Sequence, residues 1–408
     1  MKKTILRKYA ELIVKMWLNV KKGQEVRVYA STNQVELVRE VTKWAYKVGA
    51  KKVINEWYDD ELSKIHYKYQ SEETLAKVEK WELERLEHRC EVLPCRLFIE
   101  DSDPDALKGV DQGKIAKARM KSYPLMKPYL DRVENKEQWC IVGAASKEWA
   151  KKVFPNDKVN VAVEKLWNAI LATSRMTLDP IQEWKNHNLD LRKRCEYLNS
   201  LNLKKLHYTA SNGTDLTVGL IPEGIFCGGS EFALGSNIEF NPNIPSEEVF
   251  TSPKKGEAEG IVYASKPLSY QGELIEDFSV RFENGKAVEV HARKGEELLK
   301  QMITMDETAA YLGECALIPF DSPINNTGIL FFNTLYDENA SCHLALGMGF
   351  TNCIKDYEKY EKKELEDMGV NDSMIHVDFM IGTSDMKIVG ITSDDQEVVI
   401  FENGNWAF

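Results

Sequence analysis

Glu25-Val26-Arg27-Val28-Tyr29-Ala30 alternates as a strand does, and Ser31 and Thr32 behind it are residues that cap helices. Leu37, Val41, Trp44 and Val48 then recur at helical spacing, Gly49 is placed to close that helix, and Lys52-Val53-Ile54-Asn55-Glu56-Trp57 reads as a second strand. Strand, helix and strand in so short a span predict a right-handed parallel crossover unit. Working outward, the sequence predicts a helix around 72–88, strands at 96–100 and 139–144, and amphipathic helices near 159–175 and 180–201. This first part therefore reads as an α/β domain with a mainly parallel sheet. No glycine-rich phosphate fingerprint follows Ala30, so the crossover carries no nucleotide reading.

Past residue 200 the texture changes. Leu206–Ala210 and Asp215–Leu220 flank Ser211-Asn212-Gly213-Thr214, which is a hairpin signal. Short strands follow at 277–282, 287–292, 387–392 and 397–402, with helices near 295–305 and from about Asn339 onward. The expected architecture is an α/β domain over 1–197, then a β-rich α+β domain over 198–408 that carries the chemistry.

The formal charge of -11 over 408 residues is that of an ordinary acidic protein and argues against a nucleic-acid surface. Apolar runs fall short of the roughly 18 residues a membrane helix needs. Arg7, Lys8, Glu11 and Lys15 interrupt any secretory apolar region. The eight cysteines then read as reduced thiols of a cytoplasmic protein; their one close pair, Cys90 and Cys95, lacks the spacing of a zinc ribbon or a redox motif.

Four segments carry chemistry. In His376-Val377-Asp378-Phe379-Met380, imidazole and carboxylate stand two residues apart in an apolar run, so a strand projects both to one face. Buried unpaired they are costly, and a divalent metal satisfies both residue types. Glu248, between Pro245 and Pro253, reads as inward-facing while Glu247 faces water; Glu314 is the one charge in Leu312–Pro319. Alone, Glu248 reads more readily as a solvated glutamate than as a functional one, whereas an outward-facing Glu314 in strand packing explains its position as well as a functional role does. In Asp337-Glu338-Asn339-Ala340-Ser341-Cys342-His343, Asp337 or Asn339 is placed to cap a helix, putting His343 on its first turns with Phe350 on the same face. Alone, His343 reads as a hydrogen-bonded core histidine. Together the segments offer Glu248, Glu314, Glu338, His343, His376 and Asp378. Four carboxylates can neutralise two divalent cations, and one carboxylate can bridge them. Without cysteine in the set, a structural thiolate site is disfavoured.

These segments, with Ala264-Ser265-Lys266-Pro267-Leu268 between the first two, resemble the M29 metallo-aminopeptidases in order and spacing, over nearly the full length. The resemblance implies a two-metal aminopeptidase of short peptides with a free N-terminus, using zinc, cobalt or magnesium and working as a homodimer. It places the metal ligands on the six residues named, with Glu314 shared between ions, and leaves Glu248 and Glu314 as alternative general bases. The family's catalytic tyrosine, seven residues after this histidine, is replaced here by Phe350. A phenyl ring cannot donate to a developing oxyanion. Two other readings stay open: a metal-binding homologue with weak or no peptidase activity, and a hydrolase of other small amides.

Overall fold

The computed structural model describes residues 2–408. The expected crossover is present: β1 (Glu25–Ser31) and β2 (Lys52–Tyr58) pair in parallel, Val26 opposite Val53 and Ala30 opposite Trp57, joined through the helix Val35–Lys47. Ser31 Oγ accepts from the Asn33 N–H at the entry to the helical segment. Adding β3 (Cys95–Glu100) and β4 (Trp139–Gly143) gives a parallel sheet in the order β4-β3-β1-β2, which the two-residue strand Asn243–Ile244 extends beside β4. β1 is flanked by strands on both sides and almost wholly buried, its polar Glu25 and Arg27 paired with each other, whereas β2 lies at the edge and is buried only in part.

Several helices differ from the sequence reading. The helix expected over 72–88 is two, Glu72–Ala76 and Lys80–Val92, the second opened by a capping box of Glu79 and Glu82. Asp60–Tyr69 and Gln112–Val133 are helices that no pattern announced. The latter holds Pro124 and Pro128 inside it, residues that argue against helix locally and are overridden here by packing.

Packing divides the chain into two compact units, Met1–Asn186 with Ser230–Pro245, and His187–Gly229 with Ser246–Phe408. The partition at 197/198 differs from this by the end of the helix Pro180–Ser200 and by the return of 230–245 to the first unit.

The second unit is antiparallel, as expected for a β-rich part. Its strands are β5 (Leu203–Thr209), β6 (Asp215–Leu220), β7 (Cys227–Gly228), β8 (Val249–Thr251), β9 (Pro253–Tyr263), β10 (Leu268–Tyr270), β11 (Glu273–Glu283), β12 (Lys286–Lys294), β13 (Leu312–Leu317), β14 (His343–Gly347), β15 (His376–Met380), β16 (Lys387–Thr392), β17 (Glu397–Glu402) and β18 (Asn405–Trp406). The larger sheet runs β10-β11-β9-β6-β5-β16-β17-β18, with β12 also on β11; the smaller runs β15-β14-β13-β8-β7. One apolar core joins them. Tyr208, Val218, Phe278 and Val280 of the larger sheet pack with Cys315, Leu317, Leu344, Leu346, Val377 and Phe379 of the smaller. Strand side chains alternate between faces, so Glu314, His343, His376 and Asp378 are left on the other side of the smaller sheet. No helix among the described residues is long and apolar enough to cross a membrane.

Candidate metal centre

The register of the smaller sheet assembles the cluster. Ala345 of β14 stands opposite Glu314 of β13 on one side and Asp378 of β15 on the other; His343 is opposite Ala316 and Met380, and His376 opposite Gly347. Facing residues share a face. Two carboxylates thus flank an alanine, His343 lies two residues before that alanine on the middle strand, His376 lies two residues before Asp378 on the outer one, and Ala345 and Gly347 are small. Gly347 has φ +103°, and a Cβ there would lie 2.1 Å from the Ile375 carbonyl oxygen, so glycine alone permits β15 to approach this closely. Glu248 arrives from the residue before β8, the neighbour of β13.

Ligand atoms of Glu248, Glu314 and His343 lie within 4.8 Å of one another, and so do those of Glu314, His376 and Asp378. His376 Nε2 is 3.1 Å from Glu314 Oε2 and 3.2 Å from Asp378 Oδ1; His343 Nε2 is 3.6 Å from Glu248 Oε2 and 3.9 Å from Asp378 Oδ1. Two donors about 2.1 Å from one cation at a tetrahedral angle lie about 3.4 Å apart, the middle of this range.

Three observations test whether a cation fits. His343 Nδ1 donates to the Glu338 carbonyl at 2.9 Å and His376 Nδ1 to the Met348 carbonyl at 2.7 Å, so each Nε2 is aimed at the carboxylates, where a cation would displace its proton, the usual orientation for a metal-binding histidine. Asp378 Oδ1 is buried without a hydrogen-bond partner. Among the described residues no lysine or arginine pairs with any of the four carboxylates, and the two imidazoles are their only cationic neighbours. An oxygen-and-nitrogen donor set with excess negative charge suits a hard or borderline divalent cation.

The electrostatics agree. Burial, then the Glu314 and Asp378 carboxylates, holds the Glu248 carboxyl well above its usual range. Burial and the Asp378, Glu248 and Glu314 carboxylates do the same to Glu338. Burial alone would raise Asp378, but the His376 and His343 imidazoles bring it down to about 2. Burial opposes charge on His376, yet Asp378 and Glu314 together push its pKa well above that of free imidazole.

Five of the six expected residues converge. Glu338 is buried and accepts from Asn339 Nδ2 at 3.4 Å, but it lies outside both triads and serves His343 through its main-chain carbonyl. The expected helix under His343 is a correction. The helical turns Thr334–Asp337 and Glu338–Ala340 end first, Ser341 is extended, and His343 opens strand β14. Leu344 and Leu346 both enter the core, which demands a period of two rather than 3.6. Phe350 follows that strand instead of sharing a helix face, yet its ring centroid is 4.8 Å from that of His376. Glu247, expected in water, is buried, and its N–H donates to Asn339 Oδ1 at 2.8 Å. Tyr336 is fully buried and stacked on Phe331. Sequence reasoning missed Ser246, whose Oγ is 3.4 Å from Glu248 Oε1, and Phe250, whose signal was its i+2 spacing from Glu248.

A buried carboxylate–imidazole cluster on an antiparallel sheet defines the class, a metalloenzyme. The comparisons narrow it. The family model described as thermophilic metalloprotease (M29) matches residues 2–406. The chain is 43% identical to "Aminopeptidase AmpS" of Bacillus subtilis (strain 168), covering 99% of this chain and 98% of that protein. It is 40% identical to "Aminopeptidase 2" of Geobacillus stearothermophilus, covering 99% and 98%. It superposes on wild-type AmpT from Thermus thermophilus with a TM-score of 0.89 at 38% identity, over 100% of each chain. The chain belongs to the M29 metalloprotease family.

Proposed function

We propose that this protein is an aminopeptidase that removes the first residue of short peptides at a centre for two divalent cations. The observation that carries the reading is the pair of overlapping triads sharing Glu314. Glu248 and His343 would hold one cation, His376 and Asp378 the other, and Glu314 both, with zinc, cobalt and magnesium all compatible with the donors. The chemistry a cation pair would supply there is a water nucleophile at neutral pH and a polarised scissile carbonyl. The chain does the rest. The Glu338 and Met348 carbonyls fix the two imidazoles. A carboxylate of the cluster, Glu248 or Glu314, takes the proton of the attacking water and returns it to the leaving amine. A homodimer is part of this proposal, on the strength of the family resemblance.

A second reading rests on Phe350. Its ring stands beside His376, where a tyrosine hydroxyl would reach a developing oxyanion, and it has no proton to give. On that reading the centre binds metal and turns over slowly. One experiment separates the two: metal content per chain, then release of p-nitroaniline from aminoacyl and N-acetyl-aminoacyl anilides with Zn²⁺, Co²⁺ or Mg²⁺. Two ions per chain and cleavage of the free-amine substrates alone support the aminopeptidase. Two ions without turnover support the binding homologue, and no bound metal sinks both.

A further inference from the structure

The cluster is closed on most sides. The side chains of His343, Glu314, Glu248 and Asp378 are 1%, 5%, 9% and 10% exposed, against 25% for His376. His376 is therefore the most exposed of the five. The Phe350 ring lies beside it, its centroid 4.8 Å from His376 and tilted by 46°, and the Phe250 ring stands edge-on to Phe350 at 5.5 Å and 73°. Both phenylalanines and Met348 are half-buried. Val249 is buried in the core, so Phe250 projects from the opposite face of β8, the face of Glu248 and Glu314. Phe350 is held against it: its N–H donates to Ser252 Oγ at 2.7 Å, and Ser252 Oγ donates to its carbonyl at 3.2 Å. Two segments far apart in sequence thus build an apolar wall beside the most exposed member of the cluster.

We propose that Phe250 and Phe350 form the subsite for the side chain of the substrate's first residue, and that this chain selects a large apolar or aromatic residue there. The proposal rests on the aminopeptidase reading above. A peptide whose α-amine and first carbonyl meet the cluster carries its first side chain within a few bonds of that point, against the wall. An apolar side chain gains by leaving water, a charged one loses hydration against an apolar wall, and glycine gains nothing. Phenylalanine at 350 makes the wall wholly apolar.

The test compares kcat/KM of the metal-loaded enzyme on aminoacyl-methylcoumarylamides of Phe, Leu, Ala, Gly, Glu and Arg, alongside calorimetric binding of phenylalanine and glycine hydroxamates. Phe and Leu should exceed Ala and Gly by on the order of 10–100-fold, and phenylalanine hydroxamate should bind correspondingly tighter. In Phe250→Ala the Phe:Ala ratio should fall about tenfold, mainly through KM, and Phe250→Leu should recover most of it. Equal rates across the series, a preference for Arg over Phe, or a Phe250→Ala loss that is uniform across substrates would overturn the subsite while leaving the aminopeptidase standing. Hydroxamate discrimination without turnover would support the subsite and count against the peptidase reading. Neither turnover nor hydroxamate binding would remove both.

Discussion

Each unit buries carboxylates, and each answers them differently. In the first, Glu137 is 3% exposed and is met by Arg89, whose Nε is 3.0 Å from its Oε1, and by Arg96. Glu25 pairs with Arg27, and Asp101 accepts from Ser31 Oγ at 2.6 Å, Gln34 Nε2 at 2.8 Å and Tyr58 hydroxyl at 3.2 Å. The chain supplies every partner. In the second, Glu248, Glu314, Glu338 and Asp378 face two imidazoles and one another. Burial of like charges without counter-charge is unfavourable unless something from outside completes the set. The first arrangement is framework; the second is an excess of buried negative charge of the kind a divalent cation would offset.

The sharpest way to break this contrast is Glu314→Gln. The shared ligand loses its charge, so both triads are damaged at once. Bound metal should fall from two ions per chain, and kcat/KM should drop by on the order of 10³-fold or more. Full metal content in this variant would mean that the triads are not the binding groups. Glu137→Gln is its counterpart in the first unit. It strands two arginines, and breaking a buried pair costs about 3–5 kcal/mol. Denaturant unfolding should show that loss, while metal content per folded chain stays as in the parent. A loss of metal would show that the two clusters are not separate in kind.

Phe350→Tyr sharpens the comparison within the second unit. It restores a donor beside His376 and leaves the ligands alone. We expect kcat to rise, by up to on the order of 10²-fold, with metal content unchanged. An equal or lower kcat would show that the oxyanion is stabilised from elsewhere.

The first unit's framework was legible because it is local. The crossover of β1 and β2 follows from periodicity, a cap and Gly49, within about thirty residues. The site residues were legible as outliers, charges standing in apolar runs. Their arrangement was not, because it depends on register between strands far apart in sequence. His343 shows the limit. Asp337 and Asn339 are good cap residues, and nothing nearby says that the helical turns stop at Ala340. The alternation His343-Leu344-Ala345-Leu346-Gly347 was the competing signal, and it wins because Leu344 and Leu346 complete the core between two sheets. Glu247 is buried for a similar non-local reason, the Asn339 side chain that receives its N–H. Phe250 passed unnoticed since an aromatic in a short strand ordinarily reads as core.

The smallest effect asks whether even the well-partnered carboxylates of the first unit carry a cost. Asp101 is 1% exposed, and burial raises its pKa to about 6 despite the hydrogen bonds from Ser31 and Gln34 that lower it. In the unfolded chain the same group titrates near about 3.9. The folded pKa lies above the unfolded one, so the folded state binds the proton more tightly. Stability from this group is therefore fully present below about pH 3.9 and lost as pH rises through about 6. Between pH 7.5 and 5 the gain on acidification is about 1 kcal/mol. Asp101→Asn removes the titration while breaking one hydrogen-bond geometry at all pH values, so the parent-minus-variant difference in unfolding free energy isolates it. That difference should grow by about 1 kcal/mol on going from pH 7.5 to 5. A difference that is flat across this window would mean that the three donors fully offset burial, and that the first unit holds its carboxylate without penalty.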